Sequence, residues 1–142
     1  MTAGRATLEL DAQQHRLPEV MSFVGRFWAD HALPPQSAFP FELSLEELYL
    51  NVAQHGVKHE GRPPRVVISL ELDGLLMLAT MVDDGKPFDP FSRKTPDLGA
   101  DIDDRPVGGL GVHLVKEMMD ELRYRFDGQR NLVQMAKVLR AS

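Results

Sequence analysis

Apolar residues recur along this chain with two different periods, and the points where the period changes divide it into elements. Arg5 to Leu10 partly alternate, which predicts a short first strand. Pro18 then opens a helix with Leu17, Val20, Val24, Phe27 and Trp28 on one side, ending before Pro34-Pro35. A second helix starts near Pro40, carries Phe41, Leu45, Leu48 and Val52 at helical spacing, and stops at Gly56. In RVVISLELDGLLMLATMVDDG the period shortens to two. Val66, Ile68, Leu70 and Leu72 alternate, Asp73-Gly74 turns the chain, and the apolar run to Val82 reads as the buried second strand of a hairpin.

Residues 86–107 mix prolines and charges without periodicity, the pattern of a long surface loop, and such loops in compact domains are usually functional or mobile. After Gly-Gly-Leu-Gly a third helix presents Val112, Val115, Met119 and Leu122 on one face. Leu122, Tyr124 and Phe126 also alternate with Arg123, Arg125 and Asp127, and Gly128 turns the chain into a last strand from Asn131 to Leu139. The order strand, two helices, hairpin, loop, helix, hairpin predicts an α/β (α+β) two-layer sandwich. Its sheet is expected to be mixed but mostly antiparallel, with helices on one face. At 142 residues the chain suits one domain over 1–142.

Composition narrows the function without naming it. Hydrophobic residues make up 43% and charged residues 26%, as in an ordinary globular protein. A net charge of −5 gives no general pull toward nucleic acid, so direct binding to it is not expected, although a metal ion can bridge an acidic protein to a polyphosphate. The absence of cysteine excludes disulfides, cysteine-ligated zinc and thiol nucleophiles. The first residues lack the apolar core of a signal peptide, and no apolar run approaches the roughly 20 residues needed to span a bilayer. A soluble, cytoplasmic protein with no membrane role is the expectation.

Three clusters could carry chemistry. The second helix stacks Glu47, Asn51, Gln54 and His55 on a common side. Such a stripe is most often a solvated face, but an Asn oxygen also suits Mg²⁺, and a Glu one turn away can take a proton from an attacking hydroxyl. In VDDGKPFDP, Asp83 ends an apolar strand, where a carboxylate is costly unless a group such as an adenine amine donates to it. Gly85 would let a flat ligand approach the backbone. Asp73-Gly74 and Asp127-Gly128 each lead straight into a strand, whereas Asp84-Gly85 leads into Pro87 and irregular chain, so the plain turn reading is weaker there. The third cluster, Gly108-Gly109-Leu110-Gly111, opens a helix, and unpaired N–H groups at a helix start attract anions. Flexible loop closure would explain those glycines as well, and neither a P-loop nor a Rossmann fingerprint is present. His55 and His59 are four apart but are separated by Gly56 and lack a third ligand, so a metal pair is not expected.

Taken in order, E-x-x-x-N on a helix, D-x-G-x-P-F-D-P after a buried strand, and G-G-L-G opening a helix resemble the N, G1 and G2 boxes of the GHKL ATP-binding class, which includes gyrase and histidine kinases. ELYLNVAQHG, VDDGKPFDP and GGLGVHLVKEMMDELRYRFDGQRNLVQMAK are most similar to the stand-alone anti-sigma factor serine/threonine kinases of that class. The resemblance implies the Bergerat (GHKL) ATPase fold, ATP and Mg²⁺ as cofactors, and a lid within residues 86–107. It places Asn51 on Mg²⁺, Asp83 on adenine, and Glu47 as base toward a Ser or Thr hydroxyl. Further nucleotide contacts are implied for His55, Gly85, Pro87, Phe88, Gly108, Gly109, Leu110, Gly111 and Val112. The implied partners are a sigma factor and a STAS-type anti-anti-sigma protein that the kinase phosphorylates, and a homodimer is left open. Phe27 and Trp28 are either partner surface or, more often for such residues, core. The alternative function is a catalytically silent or nucleotide-gated module of the same fold that sequesters a regulator.

Overall fold

A computed structural model describes residues 3–57, 61–91 and 109–139. Strands β1 (Ala3–Asp11), β2 (Arg65–Asp73), β3 (Leu76–Asp83), β4 (Glu121–Phe126) and β5 (Asn131–Val138) form one sheet in the order β1-β2-β3-β5-β4. Helices α1 (Leu17–Asp30) and α2 (Phe39–His55) fall between β1 and β2, and α3 (Gly109–Met118) falls between β3 and β4. Every pairing among these strands is antiparallel, where a mixed sheet was expected. The cause is topological. β3 and β4 run the same way across the α3 connection, but β5 inserts between them and opposes both.

Alternation along the strands sorts side chains between two faces. Val66, Ile68, Leu70 and Leu72 of β2, Met77, Ala79 and Met81 of β3, and Val133 and Met135 of β5 join one core with Val20, Val24, Phe27 and Trp28 of α1 and Phe41, Leu45 and Leu48 of α2. Phe27 and Trp28, at 2% and 4% exposure, are core rather than partner surface. Helix α2 packs against both α1 and α3. It therefore buries more than an apolar stripe: Ser44, Tyr49 and Asn51 are enclosed as well. Ser44 donates to the Pro40 carbonyl at 2.6 Å, while the Tyr49 hydroxyl donates to the Gln13 carbonyl at 2.8 Å and accepts the Gln13 N–H at 3.0 Å. Those bonds offset the burial of the two hydroxyls and pin the centre of α2 to the chain just after β1.

Turns account for the strand boundaries. Gly74 (φ +62°) and Gly128 (φ +98°) adopt left-handed backbone in the β2–β3 and β4–β5 connections, which only glycine enters without strain. Gly85 has no positive φ, so the third Asp-Gly pair is a different object, as its surroundings in sequence suggest. Leu122 does not extend the apolar face of α3. The helix ends at Met118, Asp120 enters strand-like bonding through its N–H to the Ala136 carbonyl at 3.0 Å, and Leu122 lies in β4. Residues 92–107 of the expected loop, with Gly108 and His59, lie outside the described residues.

Candidate functional site

Three elements end at one cleft: the second half of α2, the end of β3 with the segment that follows it, and the start of β5. Leu48, Val52, Met81 and Val133 give it apolar walls, Asn51, Asp83 and Asn131 supply polar groups, and Lys86, Phe88 and Pro90 also border it. Apolar walls with a few fixed polar groups are the usual lining of a small-molecule site.

Asp83 is 5% exposed, because the alternation of β3 that buries Met77, Ala79 and Met81 also turns this residue inward. Its Oδ1 accepts the Gly85 N–H at 2.9 Å and an N–H of the Asn131 amide at 3.0 Å. Packing within the chain itself requires Gly85 here. A Cβ on it would strike the Gly56 backbone and the Asp83 carboxylate. Gly56, in turn, stops α2 and accepts the Lys86 N–H at 3.2 Å, so two glycines bring the end of α2 and the segment after β3 into backbone contact.

Asn51 is 6% exposed and borders the cleft, yet its amide has no hydrogen-bond partner among the described residues. A buried polar group left so is costly, and its oxygen fits a hard cation that completes its shell with water and phosphate oxygens. No group of three acidic or histidine side chains suited to a metal occurs among the described residues, so a cation at Asn51 would depend on such a shared shell. Glu47, one turn earlier, is half-buried and stands against Gly111 of α3, where any side chain at position 111 would overlap its carboxyl. Burial pushes the Glu47 carboxyl above its ordinary range, and neighbouring Glu46 adds to the shift.

Several other expected contacts are distributed differently. His55 stacks on Phe88 with ring centroids 5.2 Å apart, beside the cleft. Gly109, Leu110 and Gly111 form the first turn of α3. Val112 is buried and does not border the cleft, and Pro87 is exposed beside a separate depression near Phe126 and Arg130. Gly85 supports Asp83 from behind instead of lining the cleft. Asn131, absent from the sequence-based set, is 3% exposed and in register with Asp83. An Asn opening an apolar strand was the visible signal, but its neighbour becomes known only once β5 is paired with β3.

Residues 10–137 match the model of the histidine kinase-like ATPase domain. The chain belongs to this family. Among curated members it is similar to the serine/threonine-protein kinase BtrW of Bordetella bronchiseptica, 25% identical over 138 residues that cover 93% of each chain. It is also 28% identical over 90 residues to the serine-protein kinase RsbW of Bacillus cereus, covering 61% of this chain and 55% of that one. Among solved structures it matches part of a structure of the RsbU and RsbW domains of a Mycobacterium tuberculosis protein, with a TM-score of 0.66 at 13% identity. That match covers 98% of this chain and about a third of the other (34%), and it bears on the fold alone. Among the described residues no helix is long and apolar enough to cross a membrane.

Proposed function

We propose that the chain is an ATP- and Mg²⁺-dependent protein serine/threonine kinase that phosphorylates a STAS-type anti-anti-sigma protein and so controls a sigma factor by partner switching. The observation that carries the reading is the meeting of α2 with two other elements: Asn51 faces Asp83 across an apolar cleft, and Glu47 stands one turn away against the first turn of α3. Kinase names among the relatives support the activity class.

In this reading the apolar walls take the flat base, Asp83 accepts from its amino group, and Asn51 holds the cation. Bound Mg²⁺ would neutralise charge on the phosphates. Glu47 accepts the proton of the incoming hydroxyl as its oxygen bonds to the γ-phosphorus and the bond to the β–γ bridging oxygen breaks. Phosphoryl transfer asks mainly for positioning and charge neutralisation, so this small set of groups suffices. A module that only binds has no use for a half-buried carboxylate whose burial disfavours its charge, and that favours the enzyme over a silent binder.

The test is incubation of the purified chain with γ-labelled ATP, Mg²⁺ and the cognate STAS-type protein. Label on a Ser or Thr of that protein is expected. Binding of ATP with no transfer to any such partner would reduce the chain to a nucleotide-gated binder.

A further inference from the structure

The Asn131 amide is bonded in every direction it can be. One N–H donates to Asp83 Oδ1 at 3.0 Å and the other to the Lys86 carbonyl at 2.9 Å, with the Gly85 carbonyl further off at 3.4 Å. Its Oδ1 accepts the Phe88 N–H at 3.2 Å and the Tyr124 hydroxyl. An amide offers two donors and one oxygen with two lone pairs, so the inventory is filled. The orientation is also unambiguous. Turning the amide over would aim its oxygen at a carboxylate and a carbonyl, and its N–H groups at the Phe88 N–H.

These bonds tie β3, β4 and β5 to the segment that follows β3. Asn131 opens β5 directly opposite Asp83 of β3, and Tyr124 reaches it from β4, the edge strand. Lys86 and Phe88 belong to the irregular segment after β3, and the Phe88 ring stacks on His55 at the end of α2. One side chain therefore fixes both the carboxylate at the strand end and the segment that borders the cleft beside it. Asp83 and Asn131 themselves lie in the buried interior, where a fully satisfied polar network specifies a single arrangement.

We infer that Asn131, oriented by the Tyr124 hydroxyl, is the positioning residue that sets Asp83 for purine discrimination; this rests on Asp83 being the base-recognition group proposed above. Asn131 need not touch the nucleotide to act. Losing it removes one of the donors to the Asp83 carboxylate, leaves the Gly85 N–H, and unties the Lys86 carbonyl and the Phe88 N–H. The carboxylate is then held less closely, and the cleft, still able to take a nucleotide, separates an adenine amine from a guanine carbonyl less well.

The test measures ATP and GTP affinities by titration calorimetry for the parent chain, Tyr124→Phe and Asn131→Leu, with thermal melting on each. Tyr124→Phe removes one hydroxyl and keeps the ring, and should lower the ATP-over-GTP preference about threefold. Asn131→Leu keeps the volume and removes every bond, and should lower it about tenfold or more. A residue that only supported the fold would weaken both nucleotides together and leave their ratio alone. Folded variants with the parental ratio would overturn the inference while leaving the kinase reading intact. Should Asn131→Leu fail to fold, Tyr124→Phe decides alone. A parent chain that binds neither nucleotide would overturn both readings at once.

Discussion

At the strand end of the cleft, Asp83 and Asn131 are 5% and 3% exposed and bonded to each other and to the backbone around them. Across it Asn51, at 6% exposure, is buried as deeply and has no partner among the described residues. Glu47 beside it has a carboxyl whose charge is disfavoured by burial. The same degree of enclosure thus goes with a satisfied network at Asp83 and Asn131 and with an amide lacking a partner among the described residues at Asn51. The difference fits a division of labour. A group that discriminates a base must be held still before the ligand arrives, whereas a group that takes a cation or a proton must keep its capacity open. The second arrangement lowers stability, and departures of that kind are where functional sites are expected.

The largest effect expected from breaking this contrast is at Glu47. Glu47→Gln keeps the shape beside Gly111 and removes the proposed base, and should slow phosphate transfer by about a hundred- to ten-thousandfold, the usual range for a general base. ATP affinity should change by no more than about twofold, because the loss is confined to the transition state. Single-turnover transfer and calorimetry on the same preparation would check both. Transfer at the parental rate would remove Glu47 from the mechanism.

On the satisfied side, Asp83→Asn removes the charge but keeps an oxygen for the Gly85 and Asn131 N–H groups. The fold should survive, and the preference for ATP over GTP should fall about tenfold, as for a lost charge-assisted bond. Equal preference in the variant and the parent would show that Asp83 is a structural acceptor for β5 and nothing more.

Asn51→Leu tests the opposite side with the opposite sign for stability. Replacing a buried amide that lacks a partner by an apolar group of similar volume should raise stability by about 1 kcal/mol. For a chain of this size that shifts Tm upward by about 3 °C. The Mg²⁺-dependent part of ATP affinity should disappear in the same variant. A variant that melts lower than the parent would mean that Asn51 has bonds that matter to the fold, and the contrast with Asp83 would collapse.

Much of this arrangement was legible in order but not in space. The alternation of Val66 to Leu72 and the Asp73-Gly74 turn located β2 and β3, because period and turn chemistry are local properties. The odd behaviour of Asp84-Gly85 was legible too, by contrast with two Asp-Gly pairs that do turn between strands. Asn131 was not, since its meaning comes from the β3–β5 register across 48 residues of chain. Leu122 fitted the periods of both a helix and a strand, and only pairing with β5 decided between them. At Gly85 the sequence did not show the packing neighbour: backbone from Gly56 occupies the space where a side chain would be.

The smallest effect, and the sharpest in sign, concerns pH. The Glu47 carboxyl holds its proton more tightly in the folded chain than an unfolded one would, because burial disfavours the ion and Glu46 repels it. In the interval between the unfolded and folded values the native state binds more protons, so this group lowers stability as pH rises through that interval. Its stabilising contribution is fully present below the unfolded value and gone above the folded one. Transfer must run the other way, because the base works only when ionised, and its rate should climb as pH passes the same raised value. Glu47→Gln should abolish the climb and flatten that part of the stability profile together, measured by urea unfolding and by transfer rates across the acidic range. A difference in stability between the parent and Glu47→Gln that instead grows in the parent's favour through the interval would mean that a donor stabilises the Glu47 carboxylate in the folded chain. The unsatisfied half of the cleft would then be as well paired as the half built on Asn131.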